Sequence, residues 1–293
     1  MGDTDQLPPV GAGNVLGDLI ASGKVPVVEL KEVFRQAMES LIVMNSHRIV
    51  RGEMPDLSAR SGDFFFMSRS STAAVEKTIC DLACRRLKEA YGYSPLTDIQ
   101  VLCPSRKGGL GTGNLNNVLR DQLNPPAPDK KEIKIFDLVL REGDKVMQVK
   151  NNYDIQYSYL DEAGNEHISA GIYNGDIGIL KSVNKAAGVL EVWFDERRAM
   201  YPIESAGELE LAYAITVHKS QGCEFSAVIM PVFQVVPNLS YRNLLYTAVT
   251  RARNQMILVG SEAQVRDMTM NVKRTRRYSA LKAFLMEGGH VEE

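Results

Sequence analysis

The spacing of apolar and polar positions changes character twice along the chain. Over residues 36–50, Met38, Leu41, Ile42, Asn45 and Ile49 recur near helical spacing and stop before Gly52, which predicts an amphipathic helix. A longer helix is predicted over 72–91, capped by Ser71 or Thr72, with Ile79, Leu82, Ala83 and Leu87 on one face. Helices are also predicted over 14–22 and 115–123, the second ended by Asn124, Pro125 and Pro126. Between them, 27–30 (after Pro26), 64–67 and 99–102 (closed by Pro104) read as strands. Strand and helix alternate, the pattern of a parallel sheet with helices on both sides.

From about residue 132 to 206 the pattern becomes short strands separated by Glu-Gly, Asn-Gly and Ala-Gly turns, which predicts an antiparallel meander and hence a small barrel. Residues 211–217 then return to a continuous apolar, β-prone run, as expected of a strand buried on both faces. A strand over 227–232, a helix over 241–253, a strand over 256–260 and terminal helices follow, with a frayed tail over 287–293. The meander is therefore expected to be an insertion in an α/β region.

Composition narrows the classes. A chain of 293 residues, 44% hydrophobic and 24% charged, suits two domains, or one large domain with an insertion. No apolar run approaches the ~20 residues of a membrane-spanning helix, and the polar, acidic start is unlike a signal peptide. Cys80, Cys84, Cys103 and Cys223 form no C-x-x-C pair and no cluster with histidine, which argues against a metal and for the reducing cytoplasm. A net charge of −2 is not that of a general nucleic-acid coat protein, although phosphate binding needs only local positive charge. Arg106 with Lys107 is one such group; Lys273, Arg274, Arg276 and Arg277 read better as a solvated helix face.

Five segments carry candidate chemistry. LAYAITVHKSQGCEF, residues 211–225, breaks from its apolar run into Thr216, His218, Lys219, Ser220, Gln221 and Gly222. Such donors at the carboxyl end of a parallel strand lie where open α/β sheets bind ligands. GDTDQLPPVG, residues 2–11, is a small acidic turn stiffened by Pro8 and Pro9. ELKEVFRQ, residues 29–36, places Arg35 between a predicted strand and a helix, where a planar guanidinium can meet phosphate oxygens. LLYTAVTRAR, residues 244–253, reads as a helix with Leu244, Leu245, Ala248 and Val249 inward, and with Arg251 and Arg253 on different faces. PSRKGGLGTGNLNNVLRDQLNPP, residues 104–126, runs a glycine loop into a helix and so offers backbone amides to an anion. A structural salt bridge for Arg35 and a satisfied strand-end histidine for His218 are the plainer alternatives.

Together these segments resemble the later motifs of a RecD-like superfamily 1 DNA helicase, of the exonuclease V alpha-subunit type. The resemblance runs from Gly2 to about residue 265 and implies a RecA-like second motor domain over 23–131 and 207–293. An SH3-like barrel over 132–206 would be inserted in it, and 1–22 would be a remnant of the first motor domain. It implies Gln6 as sensor of the ATP γ-phosphate, Arg35 at the terminal phosphate and Arg251 as arginine finger. Gly2, Asp3, Gly222, Glu224 and Tyr246 would lie on the nucleotide side. Arg106, Lys107, Asn116, Thr216, His218, Lys219 and Ser220 would hold single-stranded DNA, joined from the barrel by Asn152 and Tyr153, with Lys145, Lys150 and Asn151 as further candidates.

The sequence contains no Gly-Lys-Ser/Thr loop, since Gly23-Lys24 is followed by Val25, and Asp161-Glu162 falls in a turn of the meander. ATP and Mg²⁺ are thus expected in a complete enzyme and not tightly bound to this chain, which looks cut from something longer and lacks its first motor domain as partner. A monomer, 5′-to-3′ polarity and no ATPase of its own are expected; a non-catalytic single-strand DNA-binding module or degenerate helicase is the alternative.

Overall fold

The computed structural model describes residues 2–8, 11, 13–29, 39–272 and 279–287. The first half runs α1 (Val15–Ser22), α2 (Leu41–Arg51), β1 (Phe64–Ser68), α3 (Thr72–Asp81), a π-helical turn (Leu82–Arg86), α4 (Leu87–Tyr91), β2 (Ile99–Cys103) and α5 (Thr112–Leu123). Nine further strands follow: β3 (Glu132–Ile135), β4 (Leu138–Arg141), β5 (Lys145–Gln148), β6 (Asn152–Leu160), β7 (Glu166–Ile172), β8 (Ile177–Asn184), β9 (Val189–Phe194), β10 (Arg197–Pro202) and β11 (Leu209–Leu211). The chain closes with β12 (Ala214–Thr216), β13 (Phe225–Val232), α6 (Arg242–Val249), β14 (Ala252–Gly260), α7 (Glu262–Met270) and α8 (Leu281–Glu287).

The five strands β1-β14-β13-β2-β12, in that order, form a fully parallel sheet. Successive residues of a strand face opposite sides, and both sides are covered. Val101 and Ile229 pack with Val75, Ile79, Leu115 and Leu119 of α3 and α5. Leu102, Val228 and Met230 pack with Ile42, Ile49, Leu244, Leu245 and Val265 of α2, α6 and α7. The expected α/β fold with a doubly covered parallel sheet is what the chain adopts. The insertion is a seven-stranded antiparallel sheet, β11-β5-β8-β9-β10-β6-β7, beside the β3-β4 hairpin.

Several elements differ from expectation. The apolar run 211–217 is not one strand: β11 pairs antiparallel with β5 in the inserted sheet, β12 pairs parallel with β2, and Ala212 and Tyr213 cross between them. A run of buried apolar residues fits either sheet, so hydrophobicity alone could not mark the crossing. Helix α2 starts at Leu41, where the Ser40 hydroxyl caps the Val43 amide and Asp63 accepts the Ile42 amide, while the first part of the expected helix, with Met38, lies outside the described residues. Residues 25–29 form no strand, and Val28 is 90% exposed, with no ladder partner among the described residues. The long helix is continuous from Thr72 to Tyr91 but contains the π-turn, which no spacing rule announces.

Candidate functional site

The segment 2–8 is held against α6 by side chains from distant parts of the chain. Asp3 makes an Asx-type turn, one carboxylate oxygen accepting the Asp5 amide at 2.9 Å. The other accepts the Gln6 side-chain amide at 3.2 Å and the Tyr246 hydroxyl at 2.9 Å. Buried Leu7 donates its amide to Thr247 Oγ1 at 2.8 Å, and its carbonyl accepts Gln221 Nε2 at 2.6 Å. Asn243 donates to the Asp5 carbonyl at 2.8 Å. Gln6 and Tyr246, both assigned to the nucleotide side, therefore meet on the Asp3 carboxylate, while Gly2 stays exposed beside Leu16.

The local electrostatics keep this cluster protonated where it donates. Burial, together with the hydrogen bond to and charge of Asp3, pushes the Tyr246 hydroxyl well above its usual range, against the opposing effect of Arg251. Burial and the neighbouring Asp3 also raise the Asp5 carboxyl, opposed by Arg242.

Helix α6 ends at Val249, four residues short of expectation, so Arg251 and Arg253 are not on helix faces. The Phe225 amide captures the Arg251 carbonyl at 2.9 Å and Ala252 enters the parallel ladder opposite Phe225, which turns the chain into β14. Arg251 is 7% exposed. Its guanidinium donates to the Cys223 carbonyl at 3.0 Å, the Thr247 carbonyl at 3.3 Å and Thr250 Oγ1 at 3.3 Å. Arg253 points to solvent and pairs with Glu224 at 2.7 Å. Arg35 lies outside the described residues.

The turn after β12 carries the candidate nucleic-acid donors. Thr216 Oγ1 accepts the Lys219 amide at 3.4 Å and so caps the 3-10 turn Val217–Ser220. Ser220 is fully buried and donates to the Val217 carbonyl at 2.8 Å, a structural use of its hydroxyl. His218 is half-buried in the same turn. Gly222 has φ of +84° with open space around it, so backbone conformation rather than room requires glycine there. Lys219 and Arg106 converge on one carboxylate: Glu210 accepts Lys219 Nζ at 2.9 Å and an Arg106 guanidinium nitrogen at 3.0 Å.

Lys107, exposed on the glycine loop, lines a neighbouring cavity of about 170 Å³ with Gly108, Gly109, Phe233 and Gln234, at the carboxyl ends of β2 and β13. Asn116 is buried, and its amide is spent on the Leu211 and Ala214 carbonyls and the Ala214 N–H. Its contribution is to fix the crossing between the two sheets.

Three family profiles match the chain: ATP-dependent RecD-like DNA helicase SH3 domain over residues 115–194, UvrD-like helicase C-terminal domain over 211–259, and AAA domain over 1–63. The ATP-dependent RecD2 DNA helicase of Deinococcus radiodurans is 35% identical over 266 residues, covering 89% of this chain. Profiles and relatives together support a likeness to the RecD-like superfamily 1 helicases over most of the chain. The RecBCD enzyme subunit RecD of Mycobacterium tuberculosis is 26% identical, covering 99% of this chain. This RecD-like chain spans 32% of the first relative and 48% of the second. Among solved structures, a Bacteroides Pif1 helicase in complex with ADP-AlF3 and ssDNA is 18% identical with a TM-score of 0.47, covering 91% of this chain and 62% of that one.

In the RecD-like insertion, Asn152 donates to Glu208 at 2.9 Å and Glu208 also pairs with Lys150 at 2.9 Å. Tyr153 is 66% exposed and meets Tyr173 edge-on, with ring centroids 5.8 Å apart. Asn151 accepts the Asn174 amide at 3.0 Å, a loop-fixing role. Lys145 departs from expectation: it is 1% exposed, donates to the Ile99 carbonyl at 3.0 Å, and cannot touch DNA from there. An inward strand position rather than solvent explains it; burial lowers its pKa to about 7 despite the opposing charge of Asp98.

Sequence reasoning also passed over Asp5, Thr247, Asn243 and Glu210, which hold candidate residues in place. Each makes at least one hydrogen bond to a residue 104 or more positions away, so no local signal marked it.

Proposed function

We propose that this chain is the C-terminal motor portion of an ATP-dependent 5′-to-3′ DNA helicase. The observation that carries the reading is the bond from Gln221 to Leu7. It ties the segment holding Gln6, on the nucleotide side, to the turn holding Thr216 and Lys219, on the DNA side. In such a motor a change at the nucleotide shifts the DNA grip through that tie.

The side-chain amide of Gln6 and the guanidinium of Arg251 are donors suited to the oxygens of a terminal phosphate, and Arg35 is assigned with them. An arginine in that role stabilises charge developing on the transferred phosphoryl and can be worth roughly 10³-fold or more in rate. Mg²⁺ would neutralise phosphate charge, but the phosphate-gripping loop and metal carboxylate belong to the first motor domain of such an enzyme. The 293-residue sequence holds no Gly-Lys-Ser/Thr loop, and its Asp-Glu pairs, 161–162 and 195–196, both fall between strands of the inserted antiparallel sheet, so the chain alone turns over no ATP.

On the DNA side, Thr216, His218, Lys219, Arg106 and Lys107 contact phosphates without reading bases. Asn152 and Tyr153 extend the track over the insertion.

Fluorescence anisotropy of a single-stranded oligonucleotide across salt tests the reading. Salt-sensitive binding weakened by Thr216→Ala with Lys219→Ala supports it. A folded chain whose binding ignores those changes refutes the grip. DNA binding by a natural polypeptide that begins at Met1 and never engages ATP would favour a non-catalytic binding module instead.

A further inference from the structure

Glu210 stands between two of the cations just assigned to the DNA grip. It is the middle residue of β11, the edge strand of the inserted sheet, and pairs there with Met147. Its two carboxylate oxygens are divided: one accepts Arg106 at 3.0 Å, from the glycine loop, and the other accepts Lys219 at 2.9 Å, from the turn after β12. One anion from the insertion thus joins two cations of the parallel-sheet body. Burial alone would favour the neutral acid, but the hydrogen bond and charge of Lys219, then those of Arg106, outweigh it and hold the carboxyl below its usual range. The group is an anion at neutral pH.

The space around it is small. Arg106, Thr112, Asn116, Glu210, Thr216 and Lys219 border a cavity of about 20 Å³. That admits about one water molecule and not a phosphate group. With Glu210 in place, each of the two cations already has a carboxylate oxygen as partner at that spot.

We propose that Glu210 is an internal latch, a carboxylate that occupies the position of a nucleic-acid phosphate between Arg106 and Lys219 and swings out when the strand binds. The inference rests on the DNA-grip reading above. The exchange conserves local charge, since two cations hold one anion before and after. It also severs two ties between β11 and the parallel-sheet body, so occupancy of the grip loosens the insertion at that seam. A strand that must displace a carboxylate is held less tightly than one entering a bare pair of cations, which suits a grip that has to open at every step.

The test uses the 293-residue chain, a fluorescent oligodeoxythymidylate, and Glu210→Gln, which keeps the side chain's size but removes its charge. Glu210→Ala serves as a second variant, and thermal melting confirms that each is folded. Both variants are expected to bind roughly 3- to 20-fold more tightly at low salt. The slope of log K against log salt should steepen by up to about one, because no freed carboxylate recaptures a cation. In a Lys219→Ala background the gain should shrink to less than about twofold.

If wild-type binding depends on Lys219 but Glu210→Gln binds equally or more weakly, Glu210 is a brace that positions the cations, and the latch is wrong while the grip stands. If binding ignores both Arg106→Ala and Lys219→Ala, or neither wild type nor Glu210→Gln binds, the grip falls and the latch with it. A wild-type chain that does not bind beside a Glu210→Gln chain that does would support the latch directly.

Discussion

The side-chain amide of Gln221 donates to the carbonyl of Leu7 at 2.6 Å across 214 residues of sequence. The Leu7 amide is held in turn by Thr247, so one residue is fixed from both sides by elements that carry opposite halves of the candidate site. Gln221→Ala and Thr247→Val should each free segment 2–8 while leaving the sheet intact. A buried polar group left without its partner costs about 1–3 kcal/mol, so amide exchange there should quicken by roughly 5- to 100-fold. Hydrogen exchange read by mass spectrometry checks this; unchanged rates over 2–8 would show that apolar packing of Leu7 alone holds the segment.

Asp144 is fully buried and takes Arg120, Asn124, Tyr213 and the Arg141 amide on one carboxylate. Arg120 stands 2.7 Å away and is itself only 10% exposed. Removing the anion would strand a buried cation, so Asp144→Ala should lower stability by about 3–5 kcal/mol. Urea denaturation measures it, and a loss under ~1 kcal/mol would mean that Arg120 reaches water when released.

Lys145 sets a pH dependence. Its folded pKa, about 7, lies below that of an unfolded lysine. Between those two values the unfolded chain binds the extra proton, so stability should rise as pH increases from about 7 towards 10. The penalty is fully present below pH 7 and is on the order of 5 kcal/mol. Lys145→Met keeps the stem, removes the amine, and should flatten that slope. Parallel stability curves for the two proteins would show that the amine does not titrate in this window.

Arg251 and Arg253 are two residues apart and should behave differently. Arg251 satisfies the carbonyls of Thr247 and Cys223 from a buried position, so Arg251→Ala should cost about 1–3 kcal/mol in stability alone. Arg253 forms an exposed pair with Glu224, and Arg253→Ala should change stability by no more than about 1 kcal/mol. Thermal melts of both variants decide it. Any activity loss in Arg251→Ala must be read after that structural cost, which Arg251→Lys helps to separate.

The parallel sheet and its insertion were legible because alternation, helical spacing and turn dipeptides act locally. Val101, Leu102, Ile229 and Met230 sit in short apolar runs between helical stretches, which fits a doubly covered sheet. What escaped was set by partners remote in sequence. Leu211 and Ala214 look alike in composition, yet hydrogen bonds to β5 and β2 place them in different sheets. The end of α6 depended on Phe225 capturing Arg251, and the start of α2 on Asp63. Site residues with distinctive chemistry stood out, such as Lys219 and Arg106. Their shared counter-ion Glu210 did not, since its role exists only once three separate segments meet.

The crossing at Ala212 and Tyr213, pinned by Asn116, has a practical consequence for engineering. The insertion looks like a cassette on paper, but its last strand is welded to the body within two buried residues. Splicing it out at residues 132 and 206 would leave β11 without its neighbour β5 and hand Asn116 a frayed strand to hold. Exchange of this module between related proteins should therefore carry the stretch through Thr216 along with it, or the graft will misplace the very turn it was meant to preserve.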